Sequence, residues 1–484
     1  MASKGDVTMS AFNDYLRHLI KKRNISISEL ARMTQIERTA LQKSLTGDRV
    51  LPYDSVKTLS SFLQLTLSEK KKLLHYYNEL FESEDVRESR KIISNMFLEL
   101  AQMDFSRTAF KNPQVEGSLQ EYIKNKTIFI GKSNIKPLIK IVFLEEMQHD
   151  NPQIKLTVPL TEEFLGDELL YVYLYKNLNM DISQIIMFDT SNVVNKINCH
   201  NLKNFKQVLS ISLASKRNYH PYYYYENTST AQYINPFPYY ILTHDCVLCL
   251  SRDCNHAMIL TATDQLVFYN KHFGELLKEC SNLIHYTSDP LKILDTYDNC
   301  TDKNGFYMAM HQPCFGCFYT KDIINHLVRK ELPFYDELIK TAYRRFQKLC
   351  EAQNFYTFFT EEGFKHFYET GQFDDFPADL VKPFPIEMRK TLIQKFIHSI
   401  KTGKITTGLM KADAFPDYLS LTTSNESDIG IFTTAQFPIQ NGFSSIEIKE
   451  PGLCKAFHDW LLHLPDSNEV LSPETTIEIL KNYI

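Results

Sequence analysis

Between Ser10 and Leu80 the sequence carries helix start and stop signals so closely spaced that only short helices fit. Ser10 is placed to cap a helix whose apolar positions Phe12, Tyr15, Leu16, Leu19 and Ile20 share one face. That helix closes on Lys21, Lys22 and Arg23, cations suited to its C-terminal dipole. Ser26-Ile27-Ser28-Glu29 fits a capping box, opening a second helix from Ile27 to Met33 with Leu30 and Ala31 inward. Thr34-Gln35-Ile36 then makes a three-residue turn. A third helix is expected over about Arg38 to Thr46, with Leu41 and Leu45 inward, and Gly47 ends it in the left-handed conformation. A fourth, about Tyr53 to Leu63, carries Val56, Leu59 and Phe62. Ser68 is expected to cap a fifth with Leu73, Leu74, Tyr77 and Leu80 periodic. Short helices joined by one tight turn form a helix-turn-helix.

Charge separates this segment from the rest. Residues 1–80 hold 13 Lys/Arg against 8 Asp/Glu, a net of +5, within a 484-residue chain whose total is −5. A basic unit on a large acidic one suggests a nucleic-acid-binding head on another body. The 43% hydrophobic content excludes a mostly disordered chain. Met1–Asn13 has no apolar run and no stretch nears the length of a membrane span, so a cytoplasmic protein without membrane partners is expected. The ten cysteines, scattered from Cys199 to Cys454, are expected to be reduced thiols.

Glu29-Leu30-Ala31, Ile36 after the turn, Leu41, Gly47 and Pro52 together resemble the lambda-repressor/Cro-like (XRE) family, over about residues 10–80. Three positions depart from the family pattern: Gln35 stands where Gly is common in the turn, Glu37 where Ser or Thr often caps the third helix, and Ser28 where Gln is frequent. Glu37 can still accept backbone hydrogen bonds, although its charge faces approaching phosphates. The resemblance implies that the third helix enters the major groove. Its outward residues Arg38, Thr39, Gln42 and Lys43 would then read bases, Arg suiting guanine and Gln adenine. The same resemblance places Ser28, Arg49 and Tyr53 against phosphates, which position the protein without specifying sequence.

The rest is expected to be α/β, giving an all-α head followed by a large α/β body, either a single assembly or two related lobes. The sequence divides into a head at 1–82, a connecting helix and linker at 83–126, an α/β domain at 127–332, and a helical segment plus smaller α/β lobe at 333–484. Val86, Ile92, Ile93, Met96, Phe97 and Leu100 form the apolar face of the connecting helix, which either packs on the body or joins two copies. Ile154–Val158, Gln184–Phe188, Tyr239–Leu242, Val247–Leu250 and Met258–Leu260 read as strands; Ile135–Met147, Glu162–Lys176 and Phe205–Ser215 read as helices; Pro333–Lys401 reads as mostly helical. Met258–Asp264 and Ser445–Glu450 each follow two strand-like runs and lead into a helix, with apolar positions coinciding at a common offset. That pattern reads either as the chance recurrence of a common strand-to-helix unit or as the mark of two related lobes.

Chemistry in the body is sparse. Cys246-Val-Leu-Cys249 and Cys314-Phe-Gly-Cys317 are too far apart for a zinc ribbon, so core thiols are expected, with no metal and no cofactor. His200, His220, His244 and His311 are scattered and read as packed or solvated. Asn218–Tyr240 is a Tyr- and Pro-rich segment, expected to be an irregular packed loop; as a ligand surface it would use Tyr223, Tyr225 and Tyr233. No phosphate-cradling Gly loop, GxSxG elbow or HExxH is present. No catalytic site is expected. The sequence therefore points to a transcriptional regulator binding a double-stranded DNA operator as a homodimer, its body dimerising, sensing a small-molecule effector, or both. The alternatives are an enzyme or defence effector with an accessory helix-turn-helix, or a protein-interaction scaffold that no longer binds DNA.

Overall fold

The computed structural model describes residues 10–81, 83–103, 105, 118–124, 126–159, 165, 166, 169, 180–189, 197–215, 217–226, 235–376, 378–438 and 443–484. The chain divides into two compact units, Met1–Arg87 and Glu88–Ile484.

The first unit is built of five helices: α1 (Ala11–Lys22), α2 (Ile27–Thr34), α3 (Arg38–Thr46), α4 (Tyr53–Phe62) and α5 (Leu67–Glu79). Their inward positions form one core, in which Leu16, Leu41, Val56, Leu59 and Leu73 are fully buried. Ser10 and Ser26 cap α1 and α2 as their positions imply. For α5 the cap is Thr66, two residues before the expected Ser68. The Thr66 hydroxyl accepts from the Glu69 amide at 3.1 Å, and the Glu69 carboxylate accepts from the Thr66 amide at 3.0 Å. This reciprocal pair satisfies two donors at once, which Ser68 inside the first turn could not do. Lys22 and Arg23 also hold the Glu69 carboxylate, at 2.8 and 2.7 Å, and its pKa falls to about 2.

Helix α6 (Glu84–Gln102) begins just before the division at Glu88 and lies mostly in the second unit, followed by a short helix α7 (Leu119–Ile123). The apolar face of α6 packs on the body of its own chain: Phe97 lies 4.6 Å from Phe415, 5.2 Å from Trp460 and 6.1 Å from Phe457, measured between ring centroids. Arg90 grips Asp459 with two bonds of 2.7 and 3.1 Å, and the Tyr418 hydroxyl donates to the Leu100 carbonyl.

The body holds two sheets. The first lobe runs β1 (Ile128–Ile130), α8 (Lys132–Glu146), β2 (Gln153–Leu156), β3 (Asp181–Asp189), α9 (Cys199–Ala214), β4 (Tyr219–Glu226), β5 (Tyr239–Leu242), β6 (Val247–Leu250), β7 (His256–Leu260) and α10 (Thr263–Lys278), with a short β8 (Ser281–Asn282). The second runs β9 (His285–Thr287), α11 (Pro290–Asn299), β10 (Phe306–Met310), α12 (Lys321–Leu327), α13 (Tyr335–Glu351), β11 (Phe355–Thr360), α14 (Glu361–Thr370), α15 (Ile386–Lys401), β12 (Thr406–Met410), β13 (Leu419–Thr423), β14 (Ile429–Thr433), β15 (Ser445–Ile448), α16 (Pro451–His463) and α17 (Pro473–Lys481). The chain passes from one sheet to the other between Asn282 and His285.

Strand order shows the kinship of the lobes. The first sheet reads β1-β7-β6-β5-β2-β3-β4, with β8 added at its end; the second reads β9-β15-β14-β13-β10-β11-β12. Parallel and antiparallel pairings match at every step, the parallel pairs being β2–β3–β4 and β10–β11–β12. The segments Met258–Asp264 and Ser445–Glu450 fall at equivalent places, β7 into α10 and β15 into α16.

Pro333–Lys401 is mostly helical, carrying α13, α14 and α15, but it also contains the strand β11. Phe355–Thr360 is buried on nearly every side chain, and a strand buried on both faces has no strand period to read. Residues 219–226 are not irregular loop but strand β4, paired along its length with β3. The helix expected over Glu162–Lys176 lies almost wholly outside the described residues.

Candidate nucleic-acid interface

The turn between α2 and α3 rests on one residue in the left-handed region, Gln35, at φ 58° and ψ 19°. This is the position where Gly would be free of the Cβ clash that a side chain suffers there. Gln35→Gly should therefore stabilise the first unit by about 0.5–1 kcal/mol, net of the flexibility it adds to the unfolded chain. Slower hydrogen exchange at the Leu41 and Leu45 amides would register the gain, and faster exchange would contradict it.

After the turn, α3 buries Ala40, Leu41, Ser44 and Leu45 and leaves Arg38, Thr39, Gln42 and Lys43 exposed. Among the described residues, the side chains of Arg38, Gln42 and Lys43 have no hydrogen bond or ion pair, so their donors are available to a ligand. Thr39 differs, because its hydroxyl donates to the Glu37 carboxylate. Glu37 stands at the N-cap without a bond from its side chain to the backbone, contrary to the capping role the sequence left open to it. Its carboxylate is occupied by Thr39 instead. Two bonds to α3 fix the angle of that helix: Asn13 and Arg17 of α1 donate to the Ser44 and Leu45 carbonyls in its last turn.

The three expected phosphate contacts lie on segments flanking α3, all exposed. Ser28 is in the first turn of α2, Arg49 follows Gly47, and Tyr53 begins α4. The Pro52 N-cap gives α4 no side-chain cap, so its first amide groups are open beside Tyr53. Tyr77 steadies the loop before it by donating to the Leu51 carbonyl at 2.6 Å. Lys57 adds a cation that sequence reasoning did not single out. Its ammonium lies 4.5 Å from the centre of the Tyr53 ring, one helical turn on, and the i, i+4 spacing was the available signal.

The tyrosines named as a ligand surface fall on a paired strand. Tyr223 lies 5.2 Å from Phe188 and 5.6 Å from Tyr225, and the Tyr225 hydroxyl donates to Glu450 at the start of α16. Burial raises the Tyr223 and Tyr225 pKa values, so both phenols stay protonated. Tyr222 and Tyr224, on the opposite face, border the core between the sheet and α10. Tyr233 lies outside the described residues.

A family model describing the Cro/C1-type HTH DNA-binding domain matches residues 15–69. The N-terminal unit is thus a Cro/C1-type helix-turn-helix domain. No curated protein matches the sequence. Among solved structures, an archaeal chromatin protein, TrmBL2, reported with a novel mode of DNA binding, aligns at 11% identity and a TM-score of 0.22, over 56% of this chain and 99% of that one. A phosphatidylserine synthase from Haemophilus influenzae Rd KW20 aligns at 12% identity and a TM-score of 0.25, over 74% and 92%. At such scores neither likeness bears on fold or function. Among the described residues no helix is long and apolar enough to cross a membrane.

Proposed function

We propose that the chain is a sequence-specific DNA-binding regulator of transcription that works in the cytoplasm as a homodimer. The observation that carries this reading is the outer face of α3, where Arg38, Gln42 and Lys43 are exposed and, among the described residues, have no internal hydrogen bond or ion pair within a matched DNA-binding domain. Bound in a major groove, Arg38, Thr39, Gln42 and Lys43 read base edges, while Ser28, Arg49 and Tyr53 hold phosphates. The body supplies dimerisation, response to a small-molecule effector, or both, and acts without turnover. An effector would work by differential affinity for DNA-competent and incompetent arrangements.

Selection of bound sequences from random duplex DNA with the full-length chain tests the proposal. The expected result is a pair of symmetric half-sites spaced by one helical turn or a multiple of it. Affinity should fall steeply with salt as phosphate-bound counterions are released. Recovery of unenriched sequence, or an affinity indifferent to salt, would overturn the reading.

A further inference from the structure

The turn between β5 and β6 is four residues long, with His244 and Asp245 at its tip. Thr243 and Cys246 close it, the Thr243 amide donating to the Cys246 carbonyl at 3.0 Å and the Cys246 amide to the Thr243 hydroxyl at 3.2 Å. This turn meets the C-terminal end of α8, where the Glu146 carboxylate is buried. One Glu146 oxygen accepts from the Gln153 amide and sits 2.6 Å from His244 Nδ1; the other accepts from the His244 amide at 3.0 Å. His149, in the loop after α8, stacks on His244 with ring centroids 4.6 Å apart, and its Nε2 lies 2.8 Å from Asp245.

Each imidazole therefore has one nitrogen on a carboxylate, the arrangement that orients a histidine and raises its basicity toward a metal. One ligand atom from each of Glu146, His149 and His244 lies within 4.8 Å of the other two. Zinc bonds of about 2.0–2.1 Å place tetrahedral ligands roughly 3.4 Å apart, so closing the site requires rotation of the two histidine rings. Both are surface side chains able to turn, whereas Glu146 is fixed. A structural pin would account for Glu146 and His244, which tie α8 to the turn. It gives no role to the second imidazole stacked on the first with its own carboxylate.

We propose that Glu146, His149 and His244 bind a divalent transition metal of the zinc class, with Asp245 orienting His149 and water completing the coordination. Two imidazoles and a carboxylate suit zinc, cobalt or nickel rather than magnesium or calcium. Cys246, which closes the turn, is buried, and burial pushes its thiol pKa up to about 12, so it stays protonated.

The test titrates the metal-free, reduced, full-length chain with Co²⁺, followed by visible absorption, and with Zn²⁺ in competition with a chromophoric chelator. Ligand-field bands should appear at one equivalent without the near-ultraviolet charge transfer of thiolate ligands. H149A and H244A should each weaken this binding by at least about tenfold, and D245N by less. H149A is the decisive variant, since His149 takes no part in the bonds that anchor Glu146 and the variant keeps the fold, as circular dichroism would verify. A folded H149A chain that binds Co²⁺ like the parent would overturn the proposal. So would titration showing thiolate bands alone, or no binding in the millimolar range.

Discussion

R38A/Q42A/K43A should abolish selective operator binding while leaving the protein folded. Each side chain that reads a base edge contributes about 1–3 kcal/mol of discrimination, so losing three removes most of the gap between specific and non-specific affinity. The fold should survive because all three side chains are exposed and the core contacts of α3 belong to Ala40, Leu41 and Leu45. Arg49→Ala provides the contrast. It should weaken binding nearly equally on all sequences and lower the salt slope by about 1, because a phosphate contact carries no base information. Fluorescence anisotropy on operator and scrambled duplexes, each over a range of salt, separates the two effects. If the triple variant retains selectivity, base reading lies elsewhere on the domain.

Phe97→Ala should destabilise the second unit by about 3–5 kcal/mol, the usual cost of removing a fully buried aromatic side chain. Phe97 is 0% exposed and sits among Phe415, Phe457 and Trp460. Trp460 is the one tryptophan of the chain, so its fluorescence in a denaturant titration reports on this cluster. The same experiment tests what α6 is for. The sequence allowed its apolar stripe to pack on the body or to join two copies, and the structure spends that stripe on the body. Phe97→Ala should accordingly lower the denaturation midpoint without changing the oligomeric state seen by sedimentation. A change of oligomeric state at unchanged stability would return α6 to a dimer seam.

Along the first unit the sequence was legible nearly to the residue. Ser10, Ser26 and Gly47 mark ends that the structure places where their chemistry implies. The miss at Ser68 was a choice between two hydroxyls two residues apart, settled by where Glu69 could reciprocate. The outward face of α3 followed from the same periodicity that identified its core. What Glu37 does was not legible, since a carboxylate at an N-cap can bond the backbone or a neighbouring side chain, and Thr39 took it.

In the body the local signals thinned. Phe355–Thr360 mixes aromatic residues with two threonines, and neither a helical nor a strand period survives burial on both faces. Tyr222–Tyr225 drew attention as a cluster, yet alternate residues of a strand point to opposite faces, and the structure sets Tyr222 and Tyr224 against one core and Tyr223 on the other face beside Phe188. His149 was not singled out in the sequence, 95 residues separate it from His244, and only the placement of the β5–β6 turn beside the end of α8 brings their rings together.

The sequence by itself determined the helix-turn-helix, because caps, turns and helical periodicity act over a few residues and are written where they operate. It also carried a trace of the duplication, in two stretches that lead from strand to helix at matching positions. Only the tertiary structure decided that both sheets share one strand order, that α6 closes on its own chain, and that a buried glutamate meets two stacked histidines. Those outcomes depend on pairing and burial between distant segments, which no local pattern specifies.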